Sequence, residues 1–193
     1  IKGGVSLSDF VAFIPLEAGT SMKGDINADI DFDFNKSAIE KQDYERIKLK
    51  GILDILNMTY VTIDMPVLQV DQMKLLFDNN ACQIPSSNIR FGKSDLSLKG
   101  NAINPLALIM EKGKSTMNFT VDGNLFDVDE WMSSGEEAIA EKPIVNSNSG
   151  GFQDYIDLRL DAKYKRIKYE DFLIEDAVGK IKYNNDKLEI ESF

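Results

Sequence analysis

A chain of 193 residues is long enough for one domain with a stable core. Its formal charge of -10, from 32 acidic against 22 basic residues, repels a phosphate backbone and argues against nucleic acid as a partner. There is no histidine and only one cysteine, which excludes histidine-based triads, HExxH zinc sites and an internal disulfide.

The chain begins at Ile1 rather than Met and is read as a piece of a larger polypeptide, whose missing parts carry any signal or anchor. Its purely apolar runs are a few residues long, whereas a membrane helix needs about 20. Ser8 to Ile14 reads as a short helix, with a serine cap before Phe10, Val11, Phe13 and Ile14 and a stop at Pro15. From Met22 to Phe34 the even positions are Met22, Gly24, Ile26, Ala28, Ile30, Phe32 and Phe34, and the odd ones Lys23, Asp25, Asn27, Asp29, Asp31 and Asp33. Unbroken alternation predicts a long strand, apolar on one face and acidic on the other. Residues 37 to 43 read as a further short helix.

Strands are expected at about 46 to 63, 67 to 78, 81 to 91 and 94 to 100. Asp78-Asn79-Asn80 and Asn184-Asn185-Asp186 read as hairpin turns, because Asn and Asp tolerate the left-handed conformation. Asn104-Pro105 opens a short helix over Leu106 to Glu111. Ser115 to Leu125 alternates again, with Met117, Phe119, Val121, Gly123 and Leu125 inward. Between Ser133 and Gly151 the periodicity dissolves into Ser, Gly, Glu, Asn and Pro, the composition of a mobile loop. Ile156, Leu158, Leu160, Ala162 and Tyr164 alternate once more, and strands follow at 172 to 183 and 187 to 193. The basic stretch Lys163 to Lys168 alternates with apolar residues and has no second patch beside it. The expected fold class is mainly β, an elongated, curved antiparallel sheet forming a repeating groove, with two or three short helices.

A shift of 95 superposes Met22 on Met117, Ile26 on Val121 and Ile30 on Leu125. A shift of 106 superposes Lys74, Leu75, Phe77, Cys82 and Ile84 on Lys180, Ile181, Tyr183, Leu188 and Ile190. The implied organisation is a first unit over 1–102 and an incomplete second unit over 103–193, with the loop at 133–151 inserted. Long strands with one apolar face need cover, and short helices supply little of it. A sheet curled into a groove buries part of that face and leaves a channel for an apolar ligand.

The run Phe91-Gly92-Lys93-Ser94-Asp95-Leu96-Ser97-Leu98-Lys99-Gly100 resembles the GKSDLSLKG signature of AsmA-like proteins. So do Asp157 to Tyr164, Ile174 to Ile181 and Leu188-Glu189-Ile190. Phe126-Asp127-Val128-Asp129-Glu130-Trp131-Met132 is similar to another segment of that family, with Phe126 and Val128 as departures. The resemblance spans most of the chain and implies a periplasmic β-groove protein related to TamB, anchored in the inner membrane of a Gram-negative envelope. It implies phospholipid acyl chains as cargo, a part in outer-membrane assembly, other envelope proteins as partners, and no catalytic residues or cofactor.

The expected groove wall is Met22, Ile26, Ile30, Phe32, Phe34, Met117, Phe119, Val121, Leu125, Leu158 and Leu160. The bland alternative is an ordinary closed core in a scaffolding β domain without a ligand. Asp25, Asp29, Asp31 and Asp33 supply hard oxygen ligands for calcium, but side chains two residues apart on a strand lie about 7 Å apart and do not converge, so a solvated face is preferred. Paired-carboxylate hydrolysis fails on the same ground, since the acids line an outward face. Cys82, among apolar neighbours, reads as packing.

Overall fold

The computed structural model describes residues 2–11, 19–33, 47–63, 65–109, 113–136, 156–184 and 187–192. In chain order the elements are β1 (Lys2–Ser6), α1 (Leu7–Val11), β2 (Ser21–Asp33), β3 (Lys48–Val61), β4 (Leu68–Asp78), β5 (Ala81–Ile84) and β6 (Ser87–Phe91). They continue with β7 (Ser94–Ile103), α2 (Leu106–Ile109), β8 (Ser115–Asp127), α3 (Val128–Glu136), β9 (Ile156–Tyr169), β10 (Phe172–Asn184) and β11 (Lys187–Ser192). The fold is mainly β: a single 11-stranded sheet in the order β1-β2-β3-β4-β5-β7-β8-β9-β10-β11, with β6 also lying between β4 and β7.

The expected strand at 81 to 91 is broken in two at Pro85, which has no N–H to give to a ladder. Beyond the break the Ser87 hydroxyl stands in for the missing ladder bonds. It accepts from Leu98 N and donates to Leu98 O, both at 2.8 Å. The short strand β1 is an addition to the expected list, hidden by its two glycines. The helix expected over Ser8 to Ile14 spans Leu7–Val11, and the one expected to reach Glu111 is Leu106–Ile109; residues 12–18, 37–43 and 110–112 lie outside the described residues.

All strand pairs are antiparallel except one: β8 and β9 run parallel, Ser115 opposite Ile156 through Asp127 opposite Lys168. The sheet is thus mostly antiparallel, as expected, with one parallel pair that the strand pattern did not indicate. The cause sits at the end of β8, where the chain enters a helix instead of a hairpin, and parallel neighbours need a crossover of a dozen or more residues. Asp127, buried at 3 % exposure, accepts from Glu130 N at 3.3 Å and so caps α3. The helix runs to Glu136, so residues 133–136 of the expected loop are helical, while 137–155 lie outside the described residues.

Ladder register sorts the side chains onto two faces. One row passes through Ile30, Gly51, Phe77, Cys82, Ala102, Met117, Leu158, Tyr183 and Leu188, and every member except glycine carries a largely apolar side chain. The adjacent row on the opposite face is Lys2, Asp29, Ile52, Leu76, Gln83, Asn101, Asn118, Arg159, Lys182 and Glu189. A one-residue slip at any strand would exchange these faces, so the alternation in the sequence fixes the register. On the polar face the acids stand opposite lysines: Asp31 by Lys50, Asp33 by Lys48, Asp122 by Lys163 and Asp161 by Lys180. Lys2 pairs with Asp29 at 2.7 Å.

Two rows of irregularity bend the sheet. The β3–β4 ladder skips Asn57 opposite Asp71, and Asn57 has φ 50. In the second half the ladders skip Lys165 opposite both Asn124 and Asp176, and Asp176 has φ 51. Bulged residues add local twist and shift the alternation by one, so Met58, Tyr60, Leu68 and Val70 join the apolar face beyond Asn57. Gly100, at φ 149, lies so close to β8 that an added Cβ would stand 2.1 Å from the Asn118 carbonyl. Its cross-strand partner, Phe119, covers it.

Little of this apolar face is sealed. Among the described residues the buried apolar side chains are Leu7, Ile47, Val70, Cys82, Ile84, Phe91, Ala102 and Ala107.

Candidate apolar groove

The even positions of β2 lie inward as expected: Met22, Ile26 and Ile30 are half-buried while every odd position from Lys23 to Asp33 is exposed. Met117, Phe119 and Val121 of β8 and Leu158 and Leu160 of β9 share that same face through the ladder. Phe32 is there too, but 44 % exposed near the end of β2, and Phe34 lies outside the described residues. Leu125 departs from its expected place. It follows the bulge at Asn124 and stands opposite Arg166, and its neighbour Phe126 has turned onto the apolar face opposite Ile167.

The apolar face holds a cavity of about 400 Å³ in the second half of the sheet. Val121, Leu160, Ala162, Ile181 and Ile190 form its floor, Phe126, Val128, Tyr164 and Ile167 one end, and Leu96, Ala177, Val178 and Gly179 the sides. The size falls within the roughly 300–1,000 Å³ usual for ligand pockets. The lining offers carbon and one phenol. Burial pushes the Tyr164 hydroxyl up to about 12, with the charge of Asp95 adding to the rise, so it stays a neutral donor at any physiological pH. Of the lining, Val121 and Leu160 were expected in the groove wall and Ala162 and Tyr164 as inward positions; Phe126, Val128 and Ile167 were hidden because each follows a bulge or a helix start that shifts the strand period.

The closed end of the cavity is built by two interlocking segments. Phe91 is buried and stacks on Trp131 of α3 with ring centroids 4.2 Å apart, and Phe126 lies 5.8 Å from the same indole. Gly92, at φ 58, turns the chain under the Glu130 carboxylate, which would collide with any Cβ there, and Lys93 N donates to Glu130 Oε2 at 2.7 Å. Buried Ser94 accepts from Asp127 N through its hydroxyl at 2.9 Å. Asp95 then clamps the bulge in β8, its carboxylate accepting from Asn124 N and Leu125 N, each at 3.0 Å, and from Asn124 Nδ2 at 2.8 Å. Partial burial alone would raise the Asp95 pKa; these three donors outweigh it and hold the carboxyl below its ordinary value.

The Lys163 to Lys168 stretch likewise finds partners. Lys168 Nζ donates to Asp129 Oδ2 at 2.8 Å and lies 3.7 Å from Asp127 Oδ2. That hydrogen bond, with a second from Glu170 N at 2.7 Å, holds Asp129 below its ordinary value, and the same partner raises Lys168.

No group of three or more side chains able to hold a metal ion comes together among the described residues. Cys82 packs in the apolar row, where burial pushes its thiol up and away from the reactive thiolate. No helix among the described residues is long and apolar enough to cross a membrane. Compared with family models, curated proteins and solved structures, the chain matches none.

Proposed function

We propose that the apolar face is a groove that holds or conducts lipid acyl chains, as the AsmA-like sequence motifs imply for a periplasmic protein tied to the inner membrane and serving outer-membrane assembly. The observation that carries this reading is the row from Ile30 to Leu188, largely apolar across nine strands yet sealed by no second layer among the described residues. A strip of that extent, half-buried along most of its length, leaves apolar surface that is costly in water unless something apolar lies on it. Contact with methylenes contributes about 0.8 kcal/mol for each one buried, without need of a headgroup pocket. The reading is non-catalytic.

The test replaces Ile30 and Val121 with Asp and follows uptake of a photo-crosslinkable phospholipid. Two carboxylates on the face should abolish labelling, while Asp29→Ala and Asp122→Ala on the polar face leave it intact, with circular dichroism confirming the fold of each. Folded wild-type chain that takes up no lipid would instead support a structural β domain whose apolar face is covered by protein.

A further inference from the structure

The two ends of the strands differ in chemistry. At one end the turns carry Asn79, Asn80, Asn104 and Lys114. At the other lie the β3–β4 loop, the β6–β7 turn, the start of α3 and the β9–β10 turn, and here stand nine of the sixteen large apolar side chains exposed among the described residues. Ile63 is 75 % exposed, Phe172 67 % and Leu173 53 %, with Met65, Trp131 and Met132 between them along the edge. Strand ends and loops at a surface are ordinarily polar, so this many exposed apolar side chains along one end of the sheet need a reason.

These loops are also tied to one another. Gly92 N donates to Val67 O at 2.9 Å, joining the β3–β4 loop to the β6–β7 turn. Lys93 N joins that turn to Glu130 of α3, and Asp129 joins α3 to Glu170 of the β9–β10 turn. The result is a preformed edge about 30 Å long, from the strand spacing between β3 and β10.

We propose that this edge rests on the surface of a zwitterionic lipid bilayer, with the apolar tips in its interfacial layer. A row of separate tips suits a fluid plane, which moulds around each side chain, better than a protein partner, which needs a contiguous patch of some 800 Å² a side. Trp131 and Tyr169 are the side-chain types that settle at a membrane–water interface, with Phe172 beside them as an apolar tip. Charge selects the lipid. Lys168 is occupied by Asp127 and Asp129 and Lys93 lies by Asp129 and Glu130, while Glu170 and Asp171 sit at the turn and the whole chain carries -10, so an anionic surface repels the edge. The outermost groups of a zwitterionic headgroup are ammonium ions, which meet those two carboxylates. The proposal concerns the edge and not the face, so either reading can fail alone.

Trp131 is the sole tryptophan and reports directly from the edge. Phosphatidylcholine vesicles added to the full chain should shift its emission to the blue, and bromines near the glycerol backbone should quench it. Co-sedimentation should persist in 0.5 M salt, a concentration at which the Debye length is only about 4 Å. The triple variant Ile63→Ser, Phe172→Ser, Leu173→Ser, all at exposed positions, should weaken partitioning at least about tenfold. Ile103→Ser, exposed at the opposite end, should not. Absence of binding to neutral vesicles, binding only to anionic vesicles that salt abolishes, or a wild-type dimer that the triple variant dissociates would each overturn the proposal. Loss of vesicle binding with retained crosslinking of lipid offered in micelles would separate the edge from the groove.

Discussion

Strands β2 and β8 have the same face code and different fates. Each follows a short helix, each pairs antiparallel with the strand before that helix, and Met22, Ile26 and Met117, Val121 take the same side of the sheet. Their other neighbours differ: β3 returns antiparallel to β2, whereas β9 lies parallel to β8. The inward pattern therefore dictates which face is buried but leaves the connection open. That is decided locally, at the end of β8, by the Asp127 cap and the turn from Phe91 to Asp95 on which α3 is seated. At Asp29 in β2, the counterpart of Asn124 in β8 by the same shift of 95, stands an exposed ion pair with Lys2.

If the seat of α3 is what separates the two strands, breaking it should cost most. Phe91→Ala removes a buried ring from beneath Trp131 and should destabilise the chain by about 3–5 kcal/mol. Chemical denaturation would measure it, and the emission of Trp131 should move to the red in the native baseline. A native spectrum left unchanged would mean that α3 is held by something other than the stacked ring.

Next in size is the cap. Asp127→Ala leaves Glu130 N without its acceptor at a buried helix start and should cost about 2 kcal/mol, Asp127→Asn less, because the amide oxygen still accepts. Lys168 adds little to this difference, being well exposed. Equal losses for the two variants would point to packing rather than capping.

The contrast also marks how far the sequence could be read. The alternation from Met22 to Asp33 appears in the structure, and the strands on either side of the two Asn-rich segments pair in matching register: Phe77 faces Cys82 as Tyr183 faces Leu188, 106 residues on, while residues 185–186 lie outside the described residues. Strict period-2 patterns carry their own register, which is why these elements were legible. The parallel crossover was not, since nine residues of helix from Val128 to Glu136 hold too few apolar positions to outweigh the strand before them. The spacing Asp127-x-x-Glu130, a capping-box signature, was the available signal. Leu125 and Phe126 exchanged roles because the Asn124 bulge is set by Asp95, a contact between residues 29 and 30 apart that no local pattern contains.

The Asp95 clamp gives the comparison a pH axis. Its folded pKa lies below the ordinary aspartate value, so its stabilisation is present above about pH 4, the unfolded value, and is lost as pH falls through the folded one. Wild-type stability should decline with acid in that window, and Asp95→Asn should flatten the decline while lowering stability at neutral pH. Parallel curves for the two proteins would show that other carboxylates carry the acid sensitivity.

The smallest effect should come from the corresponding place in the first half. Lys2 and Asp29 form a well-aligned pair at 2.7 Å, but their side chains are 81 % and 61 % exposed and β1 is an edge strand. Water screens the attraction and two flexible side chains must be ordered to make it, so such pairs seldom register in stability. Their hydrogen bond raises Lys2 above its ordinary value, so any stabilisation is present below the unfolded lysine pKa and is lost as pH rises through the folded one; it should be unchanged across the neutral range. Lys2→Ala should leave the melting temperature unchanged within error, and hydrogen exchange at Gly4 and Ser6 should stay as in wild type, because the ladder from Lys2 to Ser6 and not the ion pair holds β1 in place. A fall of several degrees, or β1 amides that exchange freely in the variant, would show that the edge strand depends on this ion pair, and the first half of the sheet would then be pinned by side chains as the second half is.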